Sequence, residues 1–130
     1  MYCKGDDILK IVNLDGYTTN PGDQSWDSFK QYGDFTVYER TKPEDVIERA
    51  KDADALIINK TVITAEMLDK MPNLKYIGLQ STGYNVVDCD AAKKKGIVVS
   101  NIPAYSTAAV AQLVFALILQ ITNKVSLHSD

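Results

Sequence analysis

The chain has 130 residues, of which 45% are hydrophobic and 24% are charged. This composition is typical of a globular protein, and the length suits one domain, so a disordered chain and a two-domain enzyme are both excluded. Seventeen acidic residues against fourteen basic ones give a net charge of −3. Such a balance supplies no basic surface for a polyanion, and we expect no nucleic-acid partner.

The ends of the chain and its cysteines indicate the compartment. Met1 to Asp7 is polar and acidic, unlike a signal peptide. Cys3 and Cys89 lie far apart and His128 is the single histidine, so we expect reduced cysteines, no metal site and a cytoplasmic location. The longest apolar run, Ala108 to Leu119, is too short to span a membrane, and no membrane partner is expected.

Short β-rich runs alternate along the chain with amphipathic segments. The predicted strands are Ile8–Leu14, Phe35–Tyr38, Ala55–Ile58, Tyr76–Leu79 and Ile97–Val99. Parallel neighbours require crossover connections, and helices usually supply them. The pattern therefore predicts an α/β fold with a parallel five-stranded sheet, flanking helices and the flavodoxin-like order 2-1-3-4-5.

Capping and stop signals predict four short helices between these strands. Thr41 and Glu44 have the spacing of a capping box, Thr64 and Asp88 are candidate N-caps, and Gly96 is a candidate C-terminal stop. The predicted helices are Trp26–Tyr32, Pro43 to about Lys51, Thr64 to about Lys70, and Asp88 to Lys95.

A last helix, predicted over Ala108–Ile121, is apolar on nearly every side. Only Gln112 and Gln120 are strongly polar within it. One small sheet can cover a single stripe of such a helix, so we expect another subunit or a further domain to cover the remainder. The alternative is that neighbouring helices of the same domain bury it.

Three loops follow strands and are predicted to lie at one edge of the sheet, where open α/β sheets bind ligands. They are Asp15–Asp23, Asn59–Thr61 and Ser81–Asn85. Gly83 lets a ligand approach the backbone, and the N–H groups of Thr82 and Gly83 can face an anion such as a carboxylate. Lys60 can add a cation. The alternatives are a plain connecting turn and a solvated lysine.

Several catalytic signatures are missing from the sequence. No two of the seven glycines are separated by a single residue, so the chain lacks the G-x-G-x-x-G motif of dinucleotide-binding folds. It has no G-x-S-x-G motif, and His128 lies three residues from the end. We therefore expect no catalytic residue within this chain.

Four ordered segments together resemble the D-isomer-specific 2-hydroxyacid dehydrogenases, and most of all their glycerate dehydrogenase (hydroxypyruvate reductase) branch. These segments are residues 14–23, 81–88, 96–103 and 107–112. The resemblance implies a substrate-binding domain over residues 1–105. It further implies a crossover and dimerisation helix over residues 106–130, leading to a nucleotide-binding domain that this chain does not contain.

The same resemblance implies the activity. The parent enzyme is expected to be a homodimer that uses NAD or NADP to transfer hydride between a nicotinamide and a small 2-oxo acid, such as hydroxypyruvate, giving D-glycerate. The family's catalytic arginine, glutamate and histidine come later in its chain. This chain alone is therefore expected to be inactive and to bind no cofactor.

Residue roles follow from the matching positions. Thr82 and Gly83 match the turn that holds the substrate carboxylate, and Thr82 and Val110 match positions beside the nicotinamide. Ser106 stands where many relatives have a polar substrate contact, often asparagine. The full set of implied substrate-binding residues is Asn59, Lys60, Ser81, Thr82, Gly83 and Ser106.

Two other classes of function remain open. A stand-alone flavodoxin-like module would bind flavin through hydroxyl-rich contacts such as Thr18 to Asn20, whereas a receiver-like module would need an aspartate where this chain has Asn59. The second class is a non-catalytic relative that uses the fold for partner binding.

Overall fold

The computed structural model describes residues 8–128, so the expectations for Met1–Asp7 and Cys3 fall outside it. Five parallel strands form one sheet in the order β2-β1-β3-β4-β5. They are β1 (Lys10–Asn13), β2 (Asp34–Val37), β3 (Ala55–Ile58), β4 (Tyr76–Leu79) and β5 (Val98–Ser100). The predicted flavodoxin-like order is confirmed, and β1 is shorter than the apolar run that predicted it.

Helices connect the strands. The α-helices are α1 (Val46–Ala50), α2 (Ala65–Asp69), α3 (Cys89–Lys94) and α4 (Thr107–Asn123). Short 3-10 helices cover Gly16–Thr18, Asp27–Tyr32, Pro43–Asp45 and Val125–His128. The segment predicted as a helix from Trp26 is therefore a 3-10 helix that begins one residue later.

The parallel register assigns alternate residues of each strand to opposite faces. Val12 pairs with Leu56, and Leu56 pairs with Ile77, so these three side chains share one face. They are buried together with the inner sides of α1, α2 and α3, including Val46, Ala50, Leu68 and Ala92. The hydrophobic core therefore lies between the sheet and these three helices.

The opposite face is covered only in part. Trp26, Phe29 and Phe35 stack there against β2, with centroids of Phe29 and Phe35 4.8 Å apart. Tyr76 and Val98 lie on the same face toward β5 and are exposed. The β5 side of this face is therefore left open.

Two of the three predicted N-terminal caps are present. The side chain of Thr64 accepts the N–H of Met67 at 3.3 Å, and that of Asp88 accepts the N–H of Ala91 at 2.9 Å. The capping box at Thr41 is wrong, because the Thr41 hydroxyl donates instead to the carbonyl oxygen of Leu14 at 2.5 Å. The hydrogen bond to Leu14 thus replaces the local capping bond that the sequence predicted.

None of the residues of α4 is buried by the rest of the described chain. Its large apolar side chains are about half exposed or more, for example Leu117 at 55% and Phe115 at 66%. The alternative in which neighbouring helices of this domain bury it is therefore wrong. Over residues 8–128, no helix is both long and apolar enough to cross a membrane.

Candidate functional site

The carboxyl edge of the sheet is organised around Asp15, which follows β1. Its side chain is only 4% exposed and accepts four hydrogen bonds from the Asn59–Thr61 loop after β3. Oδ1 accepts the N–H of Asn59 at 2.8 Å, and Oδ2 accepts those of Lys60 at 2.5 Å and Thr61 at 2.7 Å. The Thr61 hydroxyl also donates to Oδ2 at 3.0 Å. The ends of β1 and β3 are therefore held together.

Two threonines extend these connections to the neighbouring loops. The hydroxyl of Thr18 donates to the Asp15 carbonyl oxygen at 2.7 Å and accepts the side-chain amide of Asn59 at 2.9 Å. The hydroxyl of Thr19 donates to Gln80 Oε1 at 3.0 Å, immediately before the turn that follows β4. Loops after three adjacent strands thus form one hydrogen-bonded edge.

The Ser81–Gly83 turn lies at this edge with its backbone donors available. The Ser81 hydroxyl donates to the Gly83 carbonyl oxygen at 2.8 Å and closes the turn. Among the described residues, nothing accepts a hydrogen bond from the N–H groups of Ser81, Thr82 or Gly83. These donors can bind a small anion such as a carboxylate.

The segment after β5 supports this turn from the other side. Ile102 donates its N–H to the Ser81 carbonyl oxygen at 3.0 Å and accepts the Thr82 hydroxyl at 3.1 Å on its own carbonyl oxygen. The side-chain amide of Asn101 donates to the Thr82 carbonyl oxygen at 2.7 Å. The carbonyls of the turn are therefore engaged, which leaves its N–H groups for a ligand.

Lys60 lines a cavity of about 500 Å³ between the loops after β1, β2 and β3. Asp15, Thr18, Arg40 and Thr61 line it as well, and the Arg40 guanidinium lies 4.8 Å from the ring centroid of Tyr17. Lys60 is exposed, whereas Asn59 is buried and its side chain is bonded to Thr18. Of this pair, Lys60 is the residue that a ligand in the cavity would meet.

A second cavity, of about 530 Å³, lies along the outer edge of β5 and is lined by Tyr84, Cys89 and Lys93, among others. Neither cavity is lined by Ser81, Thr82 or Gly83. The Ser81–Gly83 turn and the cavity lined by Lys60 are therefore two separate features of the same sheet edge. The hydrogen bond from Thr19 to Gln80 connects the loops that carry them.

The structure brings most of the predicted site residues to this edge, but it separates two of them. Ser106 precedes α4 and its side chain forms no cap, and Val110 lies on α4 with its side chain 58% exposed. In the region from residue 8 to 128, no hydrogen bond joins Ser106 to the Ser81–Gly83 turn.

Sequence reasoning placed Asp15 in the Asp15–Asp23 loop at the predicted sheet edge but missed it as a structural centre. Asn13 was missed too: its side chain is fully buried and its Oδ1 accepts the N–H of Asp15 at 3.1 Å. A polar residue inside the apolar run Ile8–Leu14 was the available signal for Asn13. Nothing local marked Asp15, because its partners are 44 to 46 positions away.

Two residues were predicted from the resemblance to lie beside a nicotinamide. Thr82 and Val110 are exposed and free to meet such a group, whereas the glycine-rich phosphate loop is missing from the sequence. The residues present therefore fit a nicotinamide group only through contacts along one side of it.

An open parallel five-stranded sheet with unpaired backbone N–H groups at its carboxyl edge places the described chain in the α/β class, whose members bind ligands at that edge. Residues 16–124 match the family of the D-isomer specific 2-hydroxyacid dehydrogenase, catalytic domain. That match covers most of the chain, which therefore belongs to the D-isomer specific 2-hydroxyacid dehydrogenase family, as the sequence motifs predicted.

Individual relatives agree with this assignment. The chain is 48% identical over 125 residues to a hydroxypyruvate reductase from Blautia hydrogenotrophica, covering 94% of this chain and 39% of that protein. It is 37% identical over 93 residues to a glycerate dehydrogenase from Methylorubrum extorquens, covering 71% and 30% respectively. The chain thus spans well under half the length of these relatives.

Solved structures give the same result. An acyclic imino acid reductase in complex with NADPH and D-Arg superposes with a TM-score of 0.74 at 34% identity, covering 93% of this chain and 39% of that one. An NAD+-bound 3-phosphoglycerate dehydrogenase from Entamoeba histolytica gives a TM-score of 0.68 at 26% identity, covering 88% and 39%. The described fold corresponds to one part of larger enzymes.

Proposed function

We propose that this chain is the substrate-binding domain of an NAD(P)-dependent oxidoreductase that interconverts a small 2-oxo acid and the corresponding D-2-hydroxy acid. Hydroxypyruvate and D-glycerate are the proposed pair, supported by the 48% identity to a hydroxypyruvate reductase. Residues 1–105 form this domain in the proposal. Residues 106–130 form the crossover helix to a nucleotide-binding domain in the parent protein.

The observation that carries the proposal is the set of unused N–H groups in the Ser81–Gly83 turn. A carboxylate is common to all 2-oxo acids, and backbone donors bind it without discriminating between side chains. Thr82 and Gly83 are the proposed carboxylate donors. Lys60 is the proposed wall residue beside them, with the buried Asn59 supporting it, and Ser106 at the start of α4 is a further proposed substrate contact.

The chemistry divides between this domain and the remainder of the parent protein. A bound reduced nicotinamide supplies the hydride for C2 of the 2-oxo acid. The residues of this chain bind and orient the substrate, with Thr82 and Val110 bordering the nicotinamide side. They supply no proton donor, since the family's catalytic histidine has no counterpart at His128.

Homodimerisation through α4 is part of the proposal. The large apolar side chains exposed on α4 are a surface that monomeric soluble proteins rarely leave uncovered. A second copy of the same helix, or the parent protein's further domain, would cover them.

The first experiment measures turnover by the parent protein with NADH and NADPH against hydroxypyruvate, glyoxylate and pyruvate. We expect hydroxypyruvate to give the highest kcat/KM, and residues 1–130 alone to give no turnover. Turnover by this chain alone, or a parent protein that reduces none of the three acids, would contradict the proposal.

The second experiment tests the carboxylate cradle with Gly83→Pro and Gly83→Ala in the parent protein. Proline removes the Gly83 N–H, whereas alanine keeps it and places a Cβ 3.3 Å from the exposed Asn85 Oδ1. We expect KM for the 2-oxo acid to rise about tenfold or more in the proline variant alone, as one hydrogen bond to a charged group is lost. Equal KM values in the two variants would contradict the assigned role of this N–H.

A further inference from the structure

Asp15 is a buried carboxylate that the proposed function leaves without a role. All four of its side-chain hydrogen bonds come from the Asn59–Thr61 loop, and three of the donors are consecutive backbone N–H groups. Over residues 8–128, no lysine, arginine or histidine forms an ion pair with it. Backbone dipoles and one hydroxyl therefore compensate its charge.

We infer that Asp15 is a positioning residue for the substrate: its carboxylate fixes the Asn59–Thr61 loop so that Lys60 lines the cavity between the loops after β1, β2 and β3, at the same sheet edge as the Ser81–Gly83 turn. This inference rests on the proposed function and deepens it. Asp15 itself does not touch the substrate in this account. It acts through the backbone of Lys60, whose side chain lines the cavity.

The geometry explains why a carboxylate is needed at this position. Oδ2 accepts three donors, from Lys60 and Thr61, while Oδ1 accepts the N–H of Asn59. An amide can place its one oxygen at only one of these positions, so its NH₂ group must then face at least one N–H donor. Charge-assisted bonds are also stronger than neutral ones. Asparagine at position 15 should therefore release part of the loop.

The same network connects the loop to the proposed carboxylate cradle. The Thr18 hydroxyl joins the Asp15 carbonyl oxygen to the Asn59 side chain, and the Thr19 hydroxyl joins the same loop to Gln80, the residue before Ser81. A shift at the Asn59–Thr61 loop can thus change the distance between Lys60 and the turn. Small displacements of a binding group affect substrate binding strongly, because the bound geometry must be held closely.

The test uses Asp15→Asn in the parent protein, with kcat and KM measured at a temperature where every variant is folded. We expect KM for the 2-oxo acid to rise about tenfold, with kcat changed less than about threefold and KM for the nicotinamide cofactor unchanged. Amide hydrogen exchange should also become faster at residues 59–61. Thr61→Val, which removes only the hydroxyl donor, should raise KM by a smaller factor and covers the case in which Asp15→Asn does not fold.

Two controls separate positioning from charge and from stability. Asp23→Asn removes an exposed carboxylate from the same loop, and Ile77→Ala weakens the core at a fully buried position of β4. Both should keep the wild-type KM, although Ile77→Ala lowers Tm. A KM rise in Ile77→Ala that matches the one in Asp15→Asn would overturn the inference, because it would reduce Asp15 to a stability effect.

The outcomes distinguish this inference from the proposed function. Faster exchange at residues 59–61 with unchanged KM overturns the positioning role while wild-type turnover still supports the proposed function. If neither the amide exchange at residues 59–61 nor KM changes in Asp15→Asn, then Asp15 neither holds the loop nor positions the substrate, and the inference is overturned. A wild-type parent protein that reduces no 2-oxo acid overturns the proposed function and the positioning role with it, whatever the exchange data show.

Discussion

The Oδ2 atom of Asp15 accepts both the backbone N–H and the hydroxyl of Thr61, at 2.7 and 3.0 Å, although 46 positions separate the two residues. Both residues are buried. The contact joins the ends of β1 and β3, which are adjacent in the sheet. The carboxyl edge of the sheet is thus fixed by side-chain chemistry as well as by strand pairing.

Removing the Thr61 hydroxyl should weaken the fold measurably. In Thr61→Val the shape is nearly kept, but one donor to a buried carboxylate is lost, so we expect the free energy of unfolding to fall by about 1.5–3 kcal/mol. Thr61→Ser retains the hydroxyl and should lose less. Urea unfolding of the two variants provides the measurement, and equal stabilities would argue against this bond.

Gly96 should resist replacement by alanine for conformational reasons alone. Its φ is +73°, and a Cβ there would meet no atom within 4 Å. The Ile97 N–H donates to the Ala92 carbonyl oxygen at 2.9 Å, which closes the end of α3. We expect Gly96→Ala to lower the free energy of unfolding by about 1–2 kcal/mol.

The matched control is Gly96→Asn, because asparagine tolerates the left-handed region better than alanine does. Its loss of stability should be smaller than that of the alanine variant. Thermal unfolding followed by circular dichroism would rank the two, and the opposite ranking would show that side-chain bulk, not backbone conformation, matters here.

Asp54 should make the stability depend on pH in the acid range. Partial burial raises the pKa of its carboxyl, but hydrogen bonds from the Lys10 N–H at 3.1 Å and the Lys75 ammonium at 3.0 Å, together with the charges of both lysines, outweigh this. The net pKa lies below its ordinary value of 3.8. The stabilisation is therefore present above pH 3.8 and is lost as the pH falls through the lower folded-state pKa.

Asp54→Asn tests this pH dependence. The variant should be less stable than the wild type at pH 7, and the difference should shrink as the pH falls below 3.8. Asp52→Asn, at an exposed carboxyl two residues earlier, should follow the wild type throughout. Urea titrations between pH 2 and 7 are the measurement; a difference that is constant with pH would refute the role of the charge.

The proposed association through α4 predicts that replacing Leu117 by aspartate disrupts it in the 130-residue chain. Leu117 lies on α4 with its side chain 55% exposed, and a charge there would have to be desolvated in any apolar helix contact. We expect a shift toward monomer in light scattering. Gln112→Glu adds a charge at a polar position of the same helix and should leave the mass unchanged; identical masses for wild type and Leu117→Asp would oppose association through this face.

The fold was predictable from the sequence because its signals are local. The run Ala55–Ile58 is a strand with the predicted bounds, and Thr64 and Asp88 cap the helices that they were expected to cap. Thr41 also has the spacing of a capping box, yet its hydroxyl donates to the carbonyl oxygen of Leu14, 27 residues away. Spacing alone cannot reveal such a competitor.

The site was predictable only in part for the same reason. Gly83 and its neighbours stand out as a turn at a strand end, and over residues 8–128 nothing accepts their N–H groups. The role of Asp15 depends on strands β1 and β3 being adjacent, which follows from sheet order and not from any nearby residue. Ser106 and Val110 belong to the segment around α4, which packs against no part of the described core, so no contact marks them as site residues.

The hydrophobic core between the sheet and α1–α3 is built from residues up to Ile97 and the partly buried Val99. The later helix α4 contributes no buried side chain to it. Protein synthesis proceeds from the amino terminus, and domains generally fold as units in that order. We therefore expect this domain to reach its native packing once β5 has left the ribosome, without a contribution from α4. Inherited changes in α4 would then affect assembly of the finished protein while leaving the nascent domain as competent to fold as before.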